Sequence, residues 1–131
     1  MTTITIDSRQ RVELIDITAQ IRTAIRSSGI AEGLAVVFTP HTTAAVTINE
    51  NADPDVARDL VTALDQLVPL DNHYRHTEGN SAAHVKSSLV GASETLIVQG
   101  GTPLLGTWQG VYLCEFDGPR RRQVQVRVVG A

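Results

Sequence analysis

Cysteine, lysine and tryptophan each occur once in the 131 residues, and aromatic side chains make up only 4%. The single Cys114 has no partner within the chain, so neither a disulfide framework nor a Cys/His zinc finger can be built. The opening stretch MTTITIDSRQ lacks the basic and apolar regions of a secretory signal. Apolar runs such as Leu34 to Phe38 fall far short of the roughly 20 residues that span a bilayer. A cytoplasmic location without membrane insertion is therefore expected. Eleven basic residues stand against 14 acidic ones, for a net charge of −3. With few aromatics as well, the chain offers neither a phosphate-tracking surface nor a base-stacking platform, which argues against a nucleic-acid partner.

What is present suits one globular domain over residues 1–131: hydrophobic residues are 42% and charged residues 19%. A chain of this length buries roughly two-thirds of its unfolded surface, enough for an ordinary core. Thr2 to Ile17 alternates as two short strands around a polar turn at Ser8 to Arg11, which predicts an amino-terminal hairpin. Ile21, Ala24 and Ile25 form an i, i+3, i+4 stripe, predicting a helix over 17–28 with Gly29 as its stop. Gly33 to Thr39 is a continuous apolar run, as in a strand buried on both faces. Thr43 to Asn49 alternates again. Asp53-Pro54 is a helix start leading to a second helix that ends near Leu67. Pro69 to Asn80 is the one long loop. A shorter third helix follows from about Ser81 to a stop at Gly91, and the remainder, Glu94 to Gln99, Thr107 to Phe116 and Gln123 to Val129, reads as strands. This order predicts an α+β fold, a mixed or antiparallel sheet with about three helices.

The four histidines, His41, His73, His76 and His84, fall within one third of the chain. His41, between two strands and beside Thr42 and Thr43, can serve as a general base or metal ligand, or merely as a hydrogen-bonded turn residue. His76 and His84 are spaced i, i+8 across a loop and a helix start, which matches no helical zinc motif. Together with His41, however, they are able to supply the three ligands of an open divalent-metal site. His73 reads as a solvent-exposed loop residue. Asn49, Glu50 and Asn51 form a polar run that no turn or cap explains, whereas Asp53 is a helix cap. Asn51-x-Asp53-x-Asp55 has calcium-loop spacing, but Val56 and Thr62 occupy the positions of the required glycine and glutamate. Glu50 and Glu78 are candidate bases. Lys86 lies two residues from His84 and so on a different side of the helix, which leaves a Schiff-base role with little support. Trp108 reads as a core or interface anchor, Gln109 as a substrate hydrogen-bonding group, and Arg120 as a phosphate contact within an arginine cluster that otherwise just solvates a turn.

Three segments, HTTAAVTINENADPDV (41–56), YRHTEGNSAAHVKSS (74–88) and GTWQGVYLCEFDGPRRR (106–122), strongly resemble the YjbQ family, whose members are also called secondary thiamine-phosphate synthase enzymes. The resemblance runs in order through essentially the whole chain. It implies an α+β fold assembled as a homotrimer, and a polar pocket near a subunit boundary. Carried over by motif, His41, Asn49, Glu50, Asn51, His76, Glu78, His84 and Gln109 would line that pocket. It also implies a weak or secondary activity joining a hydroxymethylpyrimidine diphosphate to a thiazole phosphate with loss of pyrophosphate. Such chemistry needs cations on the leaving group, and this chain has no glycine-rich phosphate loop. In this reading His41, His76 and His84 hold a divalent metal, and Glu50 or Glu78 acts as base, alongside His41, or as a fourth ligand. Asn49, Asn51, Gln109 and Arg120 bind a phosphorylated small molecule. A non-catalytic binder of a phosphorylated or carboxylated metabolite is the alternative.

Overall fold

A computed structural model describes residues 1–131 as eight strands and three helices. In chain order these are β1 (Thr2–Asp7), β2 (Glu13–Asp16), α1 (Thr18–Ser27), β3 (Glu32–Phe38), β4 (Ala44–Glu50), α2 (Pro54–Leu67), α3 (Ser81–Val90), β5 (Ser93–Gln99), β6 (Thr102–Pro103), β7 (Gln109–Glu115) and β8 (Arg121–Gly130). A five-stranded sheet runs β1-β8-β3-β5-β6 and a three-stranded sheet runs β2-β7-β4. Every pairing is antiparallel. The α+β expectation with three helices holds.

The expected amino-terminal hairpin does not form. β1 pairs with β8, Thr2 opposite Val126, while β2 joins the other sheet opposite β7, Glu13 facing Glu115. The polar segment between them crosses from one sheet to the other instead of turning back. It is held there by Ser8 N–H donating to Arg120 O at 2.9 Å and by Gly118 N–H donating to Arg11 O at 2.9 Å. The two turns approach so closely that a Cβ on Gly118 would lie 2.2 Å from the Gln10 carbonyl oxygen.

The inner faces of both sheets and the apolar stripe of α1 share one core. Ile17, Ile21 and Ile25 meet Ala35 and Val37 of β3, Val46 of β4, Val111 and Leu113 of β7, and Val124 of β8, all fully buried. The outer face of the three-stranded sheet carries Ala45 and Cys114, on which Ala83 of α3 and Phe116 pack in a second, smaller cluster. α3 is tied to the sheet by Ser87 Oγ donating to Ala44 O at 2.6 Å, and its end is marked by Gly91 at φ 103. α2 begins as predicted, with the Asp53 carboxylate accepting from Asp55 N–H at 2.9 Å and Pro54 in the first turn. α1 starts differently. Asp16 Oδ1 accepts from both the backbone N–H (2.9 Å) and the hydroxyl (2.6 Å) of Thr18, and the same hydroxyl oxygen accepts from Val111 N–H at 2.9 Å.

β3 is not buried on both faces. Ala35 and Val37 point inward, whereas Leu34, Val36 and Phe38 are 50%, 40% and 40% exposed on the outside of the five-stranded sheet. Their neighbours extend the patch: Leu34 lies between Ile97 of β5 and Val129 of β8, exposed by 55% and 56%. No helix is long and apolar enough to cross a membrane.

Candidate functional site

The polar motifs separate to opposite ends of β4. Glu50 faces Gln109 and Asn49 faces Gly110 at one end, while Ala44 faces Glu115 at the other. Seven strand residues span roughly 20 Å, and His41 precedes the far end by three residues. α3 belongs to that far end too, since Asn80, immediately before it, donates from Nδ2 to Asp117 Oδ2 at 2.9 Å. One protomer therefore does not gather the predicted site residues into a single pocket; they fall into two groups at opposite ends of β4.

At the first end, Asn51 is fixed on two sides. Its backbone N–H donates to Trp108 O at 2.9 Å and its Nδ2 to Asp16 Oδ2 at 3.2 Å. Gly110 has to be glycine here, because a Cβ would sit 2.4 Å from Asn51 Nδ2. Gln109 Oε1 accepts from Gly106 N–H at 2.7 Å, which turns the side chain back over its own loop. Asn51 and Gln109 then line a polar cleft of about 460 Å³ together with Arg22, Thr102 and Thr107. Glu50 accepts at its backbone carbonyl from the Tyr112 hydroxyl at 2.9 Å, and its backbone N–H is held by Asn49 Oδ1 at 2.8 Å. Burial and the nearby Asp16 and Glu50 carboxylates push the Tyr112 phenol above its ordinary range, so it remains a hydrogen-bond donor. Arg22 is the residue that sequence reasoning missed. It lies on α1, 29 residues before Asn51 in sequence, and makes no ion pair within the chain. Its only available signal was an arginine beside the apolar stripe. Trp108, expected to anchor a core or an interface, stays out of the core, 62% exposed at the loop before β7.

At the other end, the rings of His76 and His84 meet edge to face with centroids 5.6 Å apart, and His76 Nε2 lies 3.6 Å from Glu78 Oε2. His41 does not join them as a ligand. Its Nε2 accepts a 2.9 Å hydrogen bond from Gln123 N–H, which fixes a neutral ring protonated at Nδ1. Partial burial and the Arg122 guanidinium depress its proton affinity below the ordinary value of 6.5. A ring held this way is a hydrogen-bond donor at Nδ1, with no lone pair left for a metal or a substrate proton. The expected ligand set of His41, His76 and His84 does not fit, and nowhere in the chain do three or more His, Cys, Asp or Glu side chains converge to hold a metal ion. His73 lies in the exposed loop, as expected.

Arg122 and Glu115 form a buried pair, with Nη2 to Oε2 at 2.5 Å and both side chains at most 5% exposed. Ser8 Oγ donates to Glu115 Oε1 at 2.6 Å, and Arg122 Nη2 donates to Thr43 Oγ1 at 2.8 Å. Burial alone would raise the Glu115 pKa, but the Arg122, Ser8 and Asp117 hydrogen bonds outweigh it and hold the carboxyl below its ordinary value. Arg120, expected to meet a phosphate, is engaged instead by Asp117: Nη2 donates to Oδ2 at 2.9 Å and Nε to the carbonyl oxygen at 2.8 Å. Cys114 is inert, its thiol pushed up to about 12 by burial and by Glu94.

Residues 2–131 match the family model described as UPF0047 protein YjbQ-like. A UPF0047 protein of Methanocaldococcus jannaschii is 54% identical over 125 residues, 95% of this chain and 91% of that protein. The UPF0047 protein YugU of Bacillus subtilis is 50% identical over 129 residues, 98% of each chain. Among solved structures, a YjbQ/UPF0047 protein of Clostridium acetobutylicum superposes with a TM-score of 0.97 at 49% identity, covering 98% of this chain and all of that one. A protein of unknown function from Sulfolobus solfataricus superposes with a TM-score of 0.95 at 31% identity over 99% of this chain and 96% of that one. By sequence along its length and by fold, this chain belongs to the YjbQ-like UPF0047 family.

Proposed function

We propose that this chain is a cytoplasmic small-molecule enzyme with thiamine-phosphate-synthase-like transferase activity, working at a site completed between copies in a homotrimer. One observation carries the reading: the cleft at the Asn49–Asn51 end joins polar donors to a cation that nothing in the chain neutralises. Arg22 supplies a guanidinium suited to a phosphate. Asn51, Gln109, Thr102 and Thr107 supply directed hydrogen bonds, and Glu50, the strand partner of Gln109, is the candidate base. In a transfer that expels pyrophosphate, Arg22 would stabilise charge on the departing group. His76, Glu78 and His84 of a neighbouring copy would close the other side of the cleft. The exposed apolar strip of Leu34, Val36, Phe38, Ile97 and Val129 supports self-association, because a patch of this kind on a sheet face marks an interaction surface.

Purified protein incubated with hydroxymethylpyrimidine diphosphate and thiazole phosphate tests this reading. It predicts thiamine phosphate and pyrophosphate in equal amounts, and at least tenfold slower formation with Arg22→Ala. Wild-type protein that raises its melting temperature with a phosphorylated ligand, yet forms no product above the protein-free mixture, would establish a binder instead.

A further inference from the structure

A second cavity, at the histidine end of the molecule but lined by none of the predicted site residues, lies beneath α3 and between it and α2. It encloses about 240 Å³, many times the ~10–15 Å³ that one water requires. Its apolar walls include Val12, Leu70 and Phe116. Its polar groups are Arg11, Asp65, Asn80 and Lys86, and two of them are unusual. Lys86, the only lysine, is 3% exposed. Its ammonium is bonded to the half-exposed Asp65 carboxylate and lies 5.7 Å from the centroid of the Phe116 ring. One carboxylate oxygen accounts for one of its three donors. Asn80 Oδ1 is the only buried side-chain polar atom in the protein without a hydrogen-bond partner. The amide cannot be turned over to relieve this, because its Nδ2 donates to Asp117 Oδ2, and reversal would set oxygen against oxygen.

A buried acceptor without a donor destabilises a fold, and a buried lysine with donors to spare calls for an acceptor. From this pairing of needs inside one apolar-walled cavity, we propose that the α2–α3 cavity binds a small organic acid that also carries a hydroxyl donor. The acid group meets Lys86 and Arg11, the hydroxyl donates to Asn80 Oδ1, and the compact apolar body lies against Phe116 and Leu70. This inference is independent of the transferase reading, since it uses none of that site's residues.

Lysine-selective ¹³C labelling gives a single side-chain ε-methylene resonance, that of Lys86, and so a direct view of the cavity. Three probes separate the two needs: 4-hydroxybenzoate has both groups, benzoate lacks the hydroxyl, and 4-hydroxybenzyl alcohol lacks the acid. The expected result is that 4-hydroxybenzoate moves the Lys86 resonance saturably and binds at least tenfold more tightly than either of the others. In Asn80→Ala its advantage over benzoate is expected to vanish while benzoate binding is kept. A Lys86 resonance unmoved by 4-hydroxybenzoate at millimolar concentration, or moved by all three with equal affinity, would overturn the proposal. The wild-type comparison decides the matter even if Asn80→Ala fails to fold.

Discussion

At His41 a backbone bond and a neighbouring cation act in the same direction. Gln123 N–H occupies Nε2, and burial together with Arg122 disfavours a second proton. In the unfolded chain the ring titrates at its ordinary 6.5, so in acid the unfolded state takes up a proton that the folded state resists. Stability from this residue is complete above that value. It is lost as pH falls through it towards the depressed folded-state value. Urea unfolding across this range should therefore show a declining midpoint, and His41→Gln, which keeps an acceptor for Gln123 N–H but cannot titrate, should flatten the decline. Glu115 behaves alike lower down: its depressed pKa stabilises the fold above the ordinary 4.5 and the benefit disappears as pH falls through the folded-state value. Removing its partner is the sharper test. Arg122→Met leaves a fully buried carboxylate unpaired, with an expected loss of about 3–5 kcal/mol in denaturant unfolding. None of this was legible from spacing. Arg122 stood among three consecutive arginines that read as a solvated turn, and what selects it is strand alternation. β8 turns Arg122 inward with Val124 and Val126, leaving Arg121 and Gln123 outside.

Among the elements, legibility followed the range of the interactions involved. α2 and α3 were readable because a cap, a first-turn proline and a terminal glycine act within a few residues. Asp53→Ala should accordingly lower stability by about 1 kcal/mol in a urea titration, the ordinary value of such a cap. Strand partners were not readable. The choice between β1 pairing with β2 and β1 pairing with β8 is made more than a hundred residues apart, where Thr2 meets Val126. The candidate site shows the same division. The motif residues Asn51 and Gln109 do share a cleft, because β4 and β7 are paired in register, but strand length carries the histidines to the opposite end. On the five-stranded sheet, a run that looked like a strand covered on both faces turned out to have one uncovered side. If that face joins copies of the chain, Ile97→Asp, at a position 55% exposed in the protomer, should reduce the sedimenting mass from trimer towards monomer without lowering helix or strand content by circular dichroism. A wild-type chain that sediments as a monomer would remove this role from the face.

For the whole molecule, the separation of the polar motifs into two groups is the consequence that matters. A chain of 131 residues folded as two sheets, with α1 between them and α3 on the outer face of the smaller one, has its polar motifs at both ends of one strand and no deep cleft joining them. Symmetric assembly solves this geometrically, since a rotation that brings the end of one protomer against the opposite end of the next repeats the same complete site at every boundary. Such a site has a signature that no single-chain site shares: two variants, each damaged in a different half, restore one another when mixed. The most direct measurement is the transferase rate of mixed oligomers assembled from Glu50→Gln and His84→Ala chains. A site shared between copies predicts that each variant alone is inactive while the mixture regains a substantial fraction of wild-type turnover, because some boundaries then pair an intact Glu50 with an intact His84. A mixture confirmed to contain both chains in one oligomer, yet no more active than either variant alone, would contradict it.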